Sequence, residues 1–127
     1  MPTIKQARLG SAPEEYYRVL VDRLWPRGVR REEAPFDEWI KDAAPSHELR
    51  KWYGHEPARY GEFAERYREE LAARRQEPPV LRLLELMQAK PVVLLTATRD
   101  VERSQVPVLA KFLADEAGPE WESPGSL

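Results

Sequence analysis

The sequence predicts an α/β fold: a single compact domain whose small, mostly parallel sheet of about three or four strands is flanked by helices. Three observations predict it. Stretches rich in Val and Leu alternate along the chain with segments of helical periodicity, which is the order that builds layered α/β domains. The run Pro91–Ala97, "PVVLLTA", is apolar without alternation, as suits a central strand covered on both faces. The chain has 127 residues, 42% hydrophobic and 33% charged, the balance of one globular core rather than of a disordered segment.

The elements follow in order. Thr3–Leu9 alternates loosely and reads as a first strand. Gly10–Glu15 carries Gly, Ser and Pro and reads as a turn. Tyr16–Asp22 is rich in good strand formers. Trp25–Pro35 is expected to be a loop, with Pro26 holding Trp25 extended and Gly28 free to take an unusual turn. Phe36–Asp42 reads as a short helix with Phe36, Trp39 and Ile40 on one face, and Asp37 and Lys41 spaced for a salt bridge. Ser46 is a good N-cap and Gly54 a good stop for a helix that places Leu49, Trp52 and Tyr53 together. Pro57–Arg75 is the clearest helix, with Tyr60, Phe63, Ala64, Tyr67 and Leu71 at helical spacing. Val80–Ala89 repeats the pattern with Val80, Leu83, Leu84 and Met87. The strand Pro91–Ala97 comes next. A last helix over Ser104–Glu116 is capped by Ser104 and carries Val106, Leu109, Ala110 and Leu113 inward. Residues 1–117 then form the domain and 118–127 a C-terminal tail.

Composition narrows the function. The formal net charge is -2, so no global cationic field draws the protein to nucleic acid or membrane. The distribution is uneven: residues 1–31 hold seven Lys and Arg against three acids, so a local anion site is compatible with an acidic whole. The absence of cysteine removes disulfides, thiolate catalysis and Cys-based zinc sites, and suits a cytoplasmic location. With only His47 and His55 as imidazoles, no His-rich metal site is expected, and neither metal nor cofactor is read from the sequence. Met1–Gly10 lacks the apolar core of a signal peptide, and no window reaches the ~18 apolar residues of a membrane span. The chain contains no G-x-G-x-x-G, no P-loop and no G-x-S-x-G elbow.

In open α/β sheets ligands sit beyond the carboxyl ends of the strands. The strand Tyr16–Asp22 ends in Asp22 and Arg23, and "VDRLWPRG" crowds an acid, two arginines and a tryptophan around Pro26. The strand Pro91–Ala97 is followed by Thr98 and Arg99. Were the two strands parallel neighbours, these groups would converge on one rim. Arg23 and Arg27 would clamp an anion, since a guanidinium fork matches phosphate or carboxylate in two hydrogen bonds. Trp25 would supply a stacking wall. Ser46, at a helix start, and Arg50 one turn on would extend the anion site. Asp22 or His55 would move a proton. Each has a purely structural alternative: an internal Asp22–Arg pair, a core Trp25, a plain Ser46 cap, and a His55 beside a helix end.

At the same residues the sequence resembles a known family. "YRVLVDRLWPRG", "DEWIKDAAPSHELRKWYGHEP", "FAERYREEL" and "VVLLTATRD" are similar, in order and spacing, to motifs of the DUF488 family, in its small YeaO-like branch, from about Lys5 to Leu113. The resemblance implies an α/β fold. It implies no catalytic residues, because the family is defined without an assigned function. One stretch departs: "RSQVPVL", with Ser104 and Gln105, stands where relatives commonly show an Asn-rich "HN-x-A", so that Ser104 would take the place of that Asn or the activity would be altered. Thiol or metal roles of cysteine-bearing branches would not transfer to this chain.

The leading expectation is therefore a cleft for a small anionic ligand, phosphorylated or nucleotide-like, with hydrolysis or group transfer as the chemistry such a cleft would support. Two others compete with it. One is a nucleic-acid module in which Arg23, Arg27, Arg30 and Arg31 meet phosphates and Trp25 and Trp39 stack bases. The other is a protein–protein regulatory module, which would show an exposed apolar patch in place of a cleft.

Overall fold

The computed structural model describes residues 4–13 and 15–118. Four strands among them form one parallel sheet: β1 (Ile4–Arg8), β2 (Tyr17–Leu20), β3 (Glu38–Trp39) and β4 (Val92–Thr96), in the order β1-β4-β2-β3. The apolar run is the centre of the sheet. All five residues of β4 are buried, and it pairs with β1 on one side and β2 on the other. β1, at the edge, exposes Lys5, Gln6 and Arg8. Polar residues suit an edge, where unpaired backbone would otherwise invite another strand.

Four helices follow the expected periodicity: α1 (His47–Tyr53), α2 (Tyr60–Ala73), α3 (Pro78–Ala89) and α4 (Gln105–Ala117). The Ser46 hydroxyl caps α1 by accepting the Leu49 N–H, and Gly54 ends it in the left-handed conformation at φ 52°. α2 buries Phe63, Ala64, Tyr67 and Leu71 on its expected face, after a 3-10 turn over Pro57–Arg59. In α3 Leu86 is buried where Leu84 was expected; Leu84 is half-buried. The Ser104 hydroxyl caps α4 by accepting the Val106 N–H. The tail expected from Gly118 lies, beyond Gly118 itself, outside the described residues.

The two faces of the sheet are covered differently. Val19, Val21, Val92 and Leu94 join one core cluster with the buried residues of all four helices. Leu20, Val93 and Leu95 form a second cluster, against which no helix residue is packed among the described residues. They are covered by Leu9, Ala12, Tyr16, Phe36 and Trp39, which come from strand ends and loops. The central strand is thus buried on both sides, with helices against one face only.

One expected helix is absent. Phe36–Asp42 contains the short strand β3 and then a 3-10 turn over Lys41–Ala43. The aromatic spacing of Phe36 and Trp39 comes from their packing over the loop-covered face rather than from a helical period. Asp37 consequently does not pair with Lys41. Its carboxylate accepts from the Arg18 backbone N–H at 2.8 Å and from Arg18 Nε at 3.2 Å, which ties β3 to β2. Among the described residues no helix is long and apolar enough to cross a membrane.

Candidate functional site

β2 and β4 are parallel neighbours, with Leu20 opposite Leu95, so their carboxyl ends meet. A cleft of about 220 Å³ opens beyond them. Asp22, Arg23, Trp25, Arg27, Arg50 and His55 all line it, the greater part of the residues expected at a site. Ser46, Thr98 and Arg99 do not.

Asp22 is fixed where the two strand ends separate. Its Oδ2 accepts the Ala97 backbone N–H at 2.8 Å, and its Oδ1 accepts from Gln105 Nε2 at 2.7 Å. Its carbonyl accepts the Trp39 indole N–H at 2.7 Å. The ends of β2, β3 and β4 and the start of α4 therefore converge on one residue.

The two arginines of "VDRLWPRG" do different work. The Arg23 guanidinium is taken up by the protein itself: Nε donates to Pro45 O at 2.9 Å, Nη2 to Ala44 O at 3.1 Å, and Nη1 meets Asp42 at 3.5 Å. It fastens the segment before α1 to the end of β2, with three of its five N–H groups engaged. Arg27 stands on a turn. The Val29 N–H bonds Pro26 O at 3.4 Å and Gly28 has φ 80°, which is type II geometry with glycine at the position that needs positive φ. Trp25 Nε1 donates to Val29 O at 2.7 Å and closes the same turn. Arg27 is carried at the exposed corner and, among the described residues, has no hydrogen bond or ion pair.

Trp25 is half-buried. It packs edge-on against Phe36 and Trp39, each at 5.4 Å between ring centroids, with Arg31 over its ring at 5.8 Å. The two tryptophans expected to stack bases thus pack on each other. Arg50 is exposed on α1. Its guanidinium meets His47 Nδ1 at 3.3 Å and, among the described residues, no carboxylate. His55 follows Gly54 and is itself left-handed at φ 58°, a strained conformation for a residue with a Cβ.

Ser46 faces away from the cleft's chemistry. Its amide and hydroxyl both donate to the Glu70 carboxylate, at 2.8 and 2.5 Å, so the anion at the start of α1 is supplied internally. Glu70 in turn lies 3.7 Å from Arg74. Thr98 and Arg99 belong to the loop after β4, where the Thr98 N–H bonds Thr96 Oγ1.

Sequence reasoning missed the apolar wall and one polar group. Tyr53 and Phe63, stacked at 4.3 Å, line the cleft with Ala44, Pro45 and Leu24. The Tyr53 hydroxyl donates to Arg103 O at 2.6 Å, and burial pushes its phenol above the ordinary tyrosine value. These rings were legible only as core positions, since helical spacing does not distinguish a wall of a cleft from the interior beneath it. The polar group is Gln105, noted in the sequence only as part of the departure from the family and given no role there; it is 9% exposed. Ser104 lines the cleft beside it, with its hydroxyl engaged in capping α4 and in donating to Val101 O at 2.7 Å. The departure "RSQVPVL", which contains both Ser104 and Gln105, was the signal in the sequence. Among the described residues no group of three or more His, Asp or Glu side chains is placed to hold a metal ion.

Comparison with known proteins places the chain. The family model described as the inactive DUF488-N3 subclade matches residues 3–125. The chain is similar to "Uncharacterized protein Rv3073c" of Mycobacterium tuberculosis, with 46% identity over 101 residues that span 80% of this chain and 83% of the relative. It is also similar to "Uncharacterized protein YeaO" of Escherichia coli, with 41% identity over 97 residues, 76% of this chain and 83% of the relative. No solved structure matches it.

Proposed function

We propose, from the premise that the chain belongs to the DUF488 family in its inactive N3 subclade, that it binds a small anionic metabolite in the cleft beyond β2 and β4 without transforming it. The observation that carries this reading is the pair Arg27 and Arg50: two exposed guanidiniums at the mouth of an apolar cleft, neither facing a carboxylate among the described residues. A cation without an internal counter-charge, beside apolar walls that exclude water, is an attractive place for phosphate or carboxylate. The volume of about 220 Å³ lies below the ~300 Å³ at which drug-sized pockets begin, which favours a compact ligand over a dinucleotide.

Binding without chemistry also accords with the groups present. Asp22 has a protein donor on each oxygen, which suits positioning. Arg23, the expected second half of the clamp, is committed to carbonyls and Asp42. A metabolite sensor or carrier of this kind fits a cytoplasmic setting. The test is thermal-shift binding of the wild type, Arg27→Ala and Arg50→Ala against inorganic phosphate and small phosphorylated and carboxylated metabolites. A wild-type shift that falls in both variants supports the reading. Equal shifts in all three proteins, or stabilisation by uncharged compounds alone, would sink it.

A further inference from the structure

Resting on that reading, we infer that the ligand is a zwitterion: a compact molecule with an ammonium or other N–H donor at the cleft floor and a carboxylate or phosphate at its mouth.

The floor is made of acceptors. Gln105 is nine-tenths buried and lines the cleft. Its Nε2 donates to two acceptors, Val21 O at 3.1 Å and Asp22 Oδ1 at 2.7 Å. Those partners fix which end of the amide is nitrogen, because the reverse orientation would set oxygen against two oxygens. The amide oxygen is then left over, and among the described residues nothing donates to it. A buried carbonyl-type acceptor without a partner is costly unless a ligand or water supplies a donor. Beside it, each Asp22 oxygen receives one protein donor and keeps a lone pair.

Three donors around the floor are already spent within the protein. The Ala97 N–H is spent on Asp22, the Ser104 hydroxyl donates to Val101 O, and the Tyr53 hydroxyl donates to Arg103 O. A phosphate or carboxylate placed against the Gln105 oxygen and the Asp22 carboxylate would meet an acceptor and a like charge. At the mouth the signs reverse, because Arg27 and Arg50 are exposed cations. Ala44, Pro45, Tyr53 and Phe63 line the same cleft and suit a short apolar or aromatic spacer. The Gln105 oxygen and the Asp22 carboxylate thus make an acceptor end, and Arg27 and Arg50 a cationic one. A ligand matching both ends carries a donor head and an anionic tail, as an amino acid with separated ends or an aminoalkyl phosphate does.

Calorimetric titration of the wild-type protein with matched probes tests this. 4-(Aminomethyl)benzoate carries both ends, 4-methylbenzoate only the anion, and benzylamine only the ammonium. 2-Aminoethyl phosphate and 5-aminopentanoate distinguish a phosphate from a carboxylate tail. At least one zwitterion is expected to bind about tenfold or more tightly than its anion-only counterpart, the size of a hydrogen bond to a charged group. That advantage should disappear in Gln105→Met and Asp22→Asn, while Arg27→Ala should weaken zwitterion and anion alike. If 4-methylbenzoate binds as tightly as 4-(aminomethyl)benzoate, the zwitterion inference fails and the anion reading stands. If benzylamine alone binds, the anion reading fails as well. Failure of every zwitterion to bind at millimolar concentration overturns the inference whatever the variants do, and inorganic phosphate then decides the anion reading separately.

Discussion

Single side chains settle how the cleft is held, and two of them lead to direct measurements. Tyr67 is fully buried, with its hydroxyl donating to Ala43 O at 2.5 Å beneath the segment that Arg23 fastens. Burial raises its phenol far above the ordinary tyrosine value, so it acts as a donor throughout the working pH range. Tyr67→Phe removes the donor and leaves a buried carbonyl, at a cost of about 1–3 kcal/mol. Urea unfolding should show a lower midpoint with an unchanged slope. His55 lies at φ 58°, where glycine carries no steric penalty. His55→Gly is expected to keep the thermal midpoint, relief of strain offsetting the freer unfolded chain, whereas Lys51→Gly within α1 should cost about 1 kcal/mol. At this scale the sequence was most readable for residues with one chemical use. Arg27 and Arg50, exposed guanidiniums facing no acid among the described residues, line the cleft. Arg23 was not readable in the same way. Its partners are the carbonyls of Ala44 and Pro45, and a sequence does not display which backbone carbonyls a fold leaves over.

Among the elements, β3 depends most on side chains. It is two residues long at the sheet edge, with few backbone bonds of its own, and two ion pairs hold it. Asp37 binds Arg18, while Glu38 receives Arg82 through Nε and Nη2 at 3.0 and 2.9 Å and the Tyr17 hydroxyl at 2.8 Å. The Arg18 hydrogen bond lowers the Asp37 carboxyl below its ordinary value, and the Arg82 hydrogen bonds do the same for Glu38. Carboxyls depressed in the folded state contribute stability that is fully present above their unfolded values and lost as pH falls through the folded ones. The thermal midpoint should therefore decline as pH drops below about 4.5, the ordinary glutamate value, and Glu38→Gln should flatten that decline while lowering the plateau. The start of α1 makes a second element-scale case. Ser46→Ala removes both a cap and a donor to Glu70, and about 1 kcal/mol of stability should go with it by chemical unfolding. Helices with caps and a regular stripe were legible in the sequence, α1, α2 and α4 to within a few residues. Phe36–Asp42 was not, since Phe36 and Trp39 sit three apart in any conformation, and only tertiary packing chooses the strand.

For the molecule as a whole, the sheet order was hidden although its strands were not. Nothing in the sequence states that β4 lies between β1 and β2; the uninterrupted burial of Val92–Thr96 required only that some strand flank it on each side. Once that order is set, Asp22 and Ala97 must meet, and the cleft follows from topology. The same order makes β4 the slowest element to open. Hydrogen exchange of the Val93, Leu94 and Leu95 amides should proceed only through global unfolding, with protection matching the unfolding free energy, while β1 at the edge exchanges faster. The face of the sheet opposite the helices has a further consequence. Trp25, Phe36 and Trp39 interlock there edge to face, and the same Trp25 closes the turn that carries Arg27. Indole emission depends on what surrounds the ring, so this cluster makes the protein its own optical gauge. If the proposed ligand engages Arg27, titrating it is expected to change the fluorescence of Trp25, and Trp25→Phe is expected to silence that change, a readout of the proposed occupancy that needs no added dye.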